Sequence, residues 1–137
     1  MKYSYRAAVP EQPGPLLYRP IVEVELFGMK GSLRELALID SGADRSMLNK
    51  DTAEILGIDL THATTRRTIG ITGMTSVYLT EVEIKLEGSR AKITLPVGFI
   101  DSPYVSVLLG QQGFFDLHRI TFEKDHQMFE ITPVKKK

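Results

Sequence analysis

Leu36-Ala37-Leu38-Ile39-Asp40-Ser41-Gly42-Ala43 sets an ionisable residue at the end of an apolar run and follows it with small residues. Four consecutive apolar residues predict a short strand buried on both faces. A carboxylate at the end of such a strand costs free energy unless it is paired or hydrogen-bonded. Ser41 supplies a hydroxyl, and Gly42 allows close backbone approach and a sharp turn. Such a loop presents a carboxylate rigidly. A plainer reading of the same tripeptide is a turn in which Asp40 bonds its own backbone.

Upstream, residues 21–26 (Ile-Val-Glu-Val-Glu-Leu) alternate as a half-buried strand, and a turn is expected at 28–31. Residues 1–20 hold Pro10, Pro13, Pro15 and Pro20, which rule out a regular helix or central strand. They are expected to form an extended arm, either a loose terminus or a segment packed on a partner subunit. Downstream, Asn49 caps an expected helix with Asp51 in its first turn. Ala53, Ile55 and Leu56 are its apolar positions, and Gly57 is its stop. Residues 67–82 predict a hairpin with Gly70-Ile71-Thr72-Gly73 at its tip. Further strands are expected at 82–86, 91–95 and 105–109. A helical turn is expected at Phe114 and Phe115, and a last hairpin spans 120–123 and 128–131 around Asp125 and His126. Many short strands with one or two short helices imply an all-β closed barrel. Its expected extent is 21–132, after the arm at 1–20 and before a basic tail at 133–137 that ends in three lysines.

The Asp40-Ser41-Gly42-Ala43 stretch after an apolar strand resembles the active-site loop of aspartic proteases. The single-domain length points to the retropepsin-like branch. Leu108-Leu109-Gly110 resembles the apolar-apolar-Gly motif that threads beside that loop, and it is followed by an expected short helix at 111–117. The hairpin at 70–73 resembles the family's flap. The resemblance covers roughly 20–132 and implies an aspartic endopeptidase that is complete only as a homodimer. Asp40 of each chain would then form a water-activating dyad, with no cofactor and no metal. It further implies that Ser41 braces the partner loop and that Gly42 binds the substrate backbone. Ala43 supports the loop, and Leu108, Leu109 and Gly110 brace it. Asp44, Gly70, Ile71, Thr72 and Gly73 line the peptide groove. One departure stands out. Retroviral relatives have Arg after the apolar-apolar-Gly motif, paired with an acidic residue just past the catalytic loop. Here Gln111 follows the motif and Asp44 holds the acidic position, so Asp44 either finds another partner, such as Arg45 or Arg6, or stays solvated. The competing reading is a catalytically weak or inactive peptide-binding or dimerisation module on the same fold.

Other signals fall away. Formal net charge is zero, which offers no electrostatic case for nucleic acid or an anionic membrane. No cysteine is present, so thiolate chemistry and disulfides are excluded, and a cytoplasmic location is expected. No apolar run approaches the roughly 18 residues of a membrane span, and no signal-peptide core is visible near the N-terminus. Asp40, Asp44 and Asp51 have the outer spacing of a calcium loop, but Arg45 stands where glycine is required. Residues 70–73 lack the Lys-Ser/Thr of a phosphate loop. His62, His118 and His126 lack ligand spacing and are expected at surface or turn positions. Arg66 and Arg67 are expected on a solvated strand face. Phe114, Phe115, Phe122 and Phe129 are expected in the core.

Overall fold

A computed structural model describes residues 1–8, 13–70, 73–103 and 105–134, with backbone alone at 68–70, 73 and 74. In chain order the elements are β1 Lys2–Ser4, β2 Arg6–Ala8, β3 Leu17–Arg19, β4 Ile21–Gly28, β5 Gly31–Ile39, β6 Ser46–Asn49 and α1 Lys50–Leu56. There follow β7 Thr64–Gly70, β8 Gly73–Leu86, β9 Ile93–Ile100, β10 Val107–Leu109, α2 Phe114–Leu117, β11 His118–Glu123 and β12 Met128–Pro133. Pro10, the tip residues Ile71 and Thr72, and the three terminal lysines lie outside the described residues.

The barrel follows from the alternation in β4. Val22, Val24 and Leu26 point inward and are buried, while Glu23 and Glu25 face out. The β4–β5 hairpin turns at Met29 and Lys30, with Gly28 opposite Gly31. Six strands close into a ring in the order β4-β5-β10-β6-β9-β8, and β8 returns to β4 with Val24 opposite Leu86 and Leu26 opposite Ile84. Closure leaves the ring without an open edge. Inward residues of all six strands fill it, including Ile84, Leu95, Phe99, Leu48 and Leu109. Burial of each such side chain is worth about 1.5–3 kcal/mol against exposure. Strand β7 hangs on β8 outside the ring.

Helix α1 behaves as its sequence demands. The Asn49 side chain accepts from the Asp51 N–H at 2.9 Å, and Gly57 takes the left-handed conformation (φ 73°) that ends the helix. Asn49 also donates through Nδ2 to the carbonyls of Ser102 and Val105, tying the helix start to the β9–β10 connection.

Several expectations need correction. Residues 36–39 are not buried on both faces: Ala37 and Ile39 are buried, but Leu36 is 49% exposed. They lie in a barrel wall, where only the inward period-two set is covered. Ile55 of α1 also faces solvent, and Thr52 takes its place among the buried residues. Residues 73–86 form one unbroken strand rather than two elements, and the strand expected at 91–95 runs from Ile93 to Ile100. Helix α2 is confined to Phe114–Leu117. Phe114 and Phe129 are core residues, but Phe122 is 39% exposed.

Outside the barrel, β1, β12 and β11 form a three-stranded sheet, with β12 in the middle. Tyr3 stacks on Phe129 and donates its hydroxyl to the Glu87 carbonyl at 2.6 Å. His118, expected at the surface, is buried. Its ring lies 4.5 Å from that of Phe114, and Nδ1 is 2.8 Å from the Phe114 carbonyl oxygen, which requires a proton on Nδ1. Burial lowers its pKa from the ordinary 6.5, opposed in part by that hydrogen bond. The folded state therefore holds the imidazole neutral more tenaciously than the unfolded chain does. This contribution to stability is full above pH 6.5 and is lost as pH falls towards the lower folded pKa. Urea unfolding at pH 7.5 and 5.5 should show wild type losing stability at the lower pH. His118→Gln should lack that component of the loss, and an identical pH dependence in both proteins would refute it.

Candidate active site

Strand β5 delivers Asp40, and β6 resumes at Ser46, yet these two strands are not neighbours. Strand β10 lies between them, parallel to β5 and antiparallel to β6. The loop 40–45 therefore arches over the end of β10. Asp40 donates its backbone N–H to the Leu109 carbonyl at 2.9 Å, and its own carbonyl accepts from Ala43 at 3.2 Å, closing a turn. Its side-chain Oδ1 accepts from the Gly42 N–H at 3.0 Å. The carboxylate is half-buried, and Ser41 and Gly42 are exposed. The plain turn and the rigid presentation of a carboxylate are thus one and the same structure.

Gly110 is what lets the two segments meet. A Cβ there would lie 2.6 Å from the Arg45 carbonyl oxygen and 2.7 Å from that of Ala43, both main-chain atoms that cannot swing aside. The Gly110 N–H donates to Ser46 Oγ at 3.1 Å, and Ser46 is fully buried. Gln111 and Gln112 then donate their backbone N–H groups to Ala43 and Asp44, each at 2.9 Å. Leu109 and Gly110 thus grip the loop directly, while Leu108 sits a step back, opposite Leu38 and Met47.

Gln111 adds a contact of its own. Its Nε2 donates to the Ser41 carbonyl at 2.7 Å, so an uncharged side chain ties the loop from the position where arginine was expected. Asp44 is exposed and has no ion pair among the described residues. The solvated alternative holds: neither arginine pairs with it, and Arg6 binds Glu87 at 2.9 Å instead. Ser46 escaped the sequence reading. Its only signal was a serine in the buried register of an alternating strand, two residues before Leu48.

Gly42 is different from Gly110. Its φ is not positive, and a Cβ would meet only Asp40 Oδ1 at an ordinary 3.4 Å. The Ser41 hydroxyl has no hydrogen-bond partner among the described residues. Among the described residues nothing demands glycine at 42 or the hydroxyl of Ser41.

In the β7–β8 hairpin, Gly70 lies opposite Gly73 across a tip whose Ile71 and Thr72 lie outside the described residues. Residues 73–76 pair with β7 alone, because pairing of β8 with β9 begins at Val77. The ribbon therefore runs clear of the barrel wall. A groove of about 460 Å³ near the termini is lined by Lys2, Thr121, His126, Met128 and neighbours, away from the Asp40 loop.

A sequence model of the aspartyl protease family matches residues 22–112, about two-thirds of the chain, from the second residue of β4 to the end of the Gly110 segment. The chain belongs to the aspartyl protease family. Both family motifs, at Asp40 and at Gly110, fall within the match, and the single barrel with one Asp-Ser-Gly loop is the retropepsin-like form. No curated protein matches the chain. The part of this aspartyl protease outside the match comprises β1 to β3, α2 and the β11–β12 hairpin. Among the described residues no group of three or more His, Asp or Glu could hold a metal, and no helix is long and apolar enough to cross a membrane.

Ser46→Ala leaves the buried Gly110 N–H without an acceptor. An orphaned buried donor costs about 1–3 kcal/mol. Denaturant unfolding should show a loss in that range, and a change below about 0.5 kcal/mol would mean that the Ser46 bond is dispensable.

Proposed function

We propose that this protein is an aspartic endopeptidase whose dyad forms when the Asp40 residues of two copies meet across a two-fold axis. The observation that carries this reading is the Asp40 loop gripped by residues 109–112, within a chain of the aspartyl protease family. The 137 residues hold one Asp-Ser-Gly, so a second carboxylate must come from outside them. A two-fold pair of identical chains provides it with the fewest parts.

In that dyad two close carboxylates cannot both ionise cheaply, so they share a proton. The ionised member takes a proton from a water held between them. The protonated member gives its proton to the scissile carbonyl oxygen as the water oxygen bonds to carbon. A tetrahedral gem-diol results, with no bond to the enzyme. Its collapse breaks the C–N bond, a proton passes to the leaving amine, and the shared-proton state returns. Gly42 and Ser41 support this reading because one chain makes no use of the space above them. That space suits an extended peptide at Gly42 and a partner loop at Ser41. Asp44 and the glycine-flanked hairpin at 70–73 complete the groove, the hairpin acting as a flap that excludes water.

A binding module without catalysis would draw on the loss of arginine at Gln111. The Gln111–Ser41 bond weakens that reading, since the loop remains tied without the ion pair.

Asp40→Asn tests the chemistry. The amide keeps an oxygen to accept from Gly42 but cannot act as a general base, so peptide cleavage should fall by about 10²–10⁴-fold. Stability should move by less than about 0.5 kcal/mol. Full activity in the purified variant would end the aspartic mechanism. The second test is dilution: rate per chain should fall as protein drops below the dimer dissociation constant, and excess Asp40→Asn should poison wild type by forming half-sites. Constant rate per chain in a sample shown to be monomeric would exclude a shared dyad.

A further inference from the structure

Val77 is buried, yet it stands outside the barrel core. Register explains why. Tyr78 and Val82 turn inward with Phe99 and Leu95, so Val77 turns outward, on the face that carries Met47 and Gly98. Gly98 makes room there. A Cβ on it would strike Val77 Cγ1 and lie 3.1 Å from Met47 Sδ and 3.4 Å from Arg45 Cδ. The aliphatic stem of Arg45 therefore lies along the outer barrel wall as a neighbour of Val77. A second arginine flanks the same residue. Arg66 stands directly opposite Val77 in the β7–β8 pairing, and cross-strand partners share a face. Ile100 pairs with Val77 on its other side. Met47, Val77 and Ile100 thus make an apolar floor flanked by two cationic side chains.

Neither cation is neutralised by its own chain. Arg45 is half-buried and Arg66 is exposed, and neither makes an ion pair or a side-chain hydrogen bond among the described residues. Glu81, on the same face of β8, is exposed and pairs with neither. A guanidinium stays charged in a protein, and a partly buried charge is costly until it is paired. The place is specific. Arg45 is the last residue of the loop that begins at Asp40, and Val77 is where the β7–β8 ribbon leaves the barrel wall. The two arginines therefore stand in the angle between the Asp40 loop and the ribbon, where an extended peptide beside Asp40 would lie. We propose that Arg45 and Arg66 form a subsite that selects an acidic side chain, Asp or Glu, at one fixed position of that peptide. This rests on the endopeptidase reading above and adds a substrate class to it. A carboxylate matches the planar guanidinium fork with two parallel hydrogen bonds, and its methylenes suit the apolar floor.

Cleavage-site profiling of a mixed peptide library reads the preference directly. Asp or Glu should be enriched at one position relative to the cut bond. For two peptides that differ only as Glu or Gln at that position, kcat/KM should favour Glu by at least about tenfold. Arg45→Gln/Arg66→Gln should bring that ratio close to one. The Arg45 stem covers part of Val77, so Arg66→Glu, at an exposed position, is a variant that spares the fold, and it alone should lower the ratio. Each reading compares two substrates on one protein, so a loss of active fraction cancels. Cleavage with no acidic position enriched, or a Glu/Gln ratio unchanged in both variants, would overturn the subsite and leave the endopeptidase standing. A library that wild type leaves uncut would overturn both.

Discussion

Four backbone-donated hydrogen bonds between residues 40–46 and 109–112 hold the two halves of the barrel's crossing together. They run from Asp40 to Leu109, Gly110 to Ser46 Oγ, Gln111 to Ala43 and Gln112 to Asp44, all between 2.9 and 3.1 Å. The constraint behind them is steric. Only a residue without Cβ can pass within reach of the Ala43 and Arg45 carbonyls. Were the passage blocked, β10 could not enter between β5 and β6, and the ring order of the barrel would fail with it. The position of the Asp40 carboxylate is thus a consequence of barrel closure, which places it on scaffold rather than on a free loop.

Much of this was legible in sequence because the signals were local. The alternation of β4, the Asn49 cap, the Gly57 stop and the Asp-Ser-Gly after an apolar run each depend on a few neighbouring residues, and the structure has each of them. What was not legible depends on long-range neighbours. The apolar run at 36–39 could not announce that Leu36 would stay uncovered, because that depends on what packs outside the barrel. His118 read as a surface or turn residue because the ring of Phe114 beside it is not foretold by local spacing. Ser46 gave no sign of its task because its partner is 64 positions away. The pairing of β1 with β12 likewise joins the two ends of the chain, beyond the range of any periodicity.

Two glycines show how fold and function separate. Gly110 is demanded by the fold, since any side chain would strike main-chain oxygen. Gly42, beside the carboxylate, meets no such obstacle and adopts no left-handed conformation. A residue that the fold does not require is informative about what lies outside the chain. The same holds for the Ser41 hydroxyl, which has no hydrogen-bond partner among the described residues. Both are exposed, so the surface above Asp40 is left open, whereas the surface below it is shaped by the barrel.

The pattern of free strand edges narrows how another molecule can pair with the chain. In the C-terminal sheet β12 is flanked on both sides by its own chain, β1 on one edge and β11 on the other. Along Met128–Glu130 both of its edges are taken by its own chain. The six ring strands pair around a closed circuit, although Gly31–Leu36 of β5 pair with β4 alone and Ile93–Pro96 of β9 with β8 alone. Edges also remain at β1, at β11, at β7 and on the β2–β3 ribbon. Of these, the ribbon is the one tied by a hydrogen bond to the residue preceding Asp40. The exposed side chains of Leu16, Leu17 and Tyr18 lie at that same corner of the molecule. Hydrogen bonding and the hydrophobic effect, which are independent constraints, converge there.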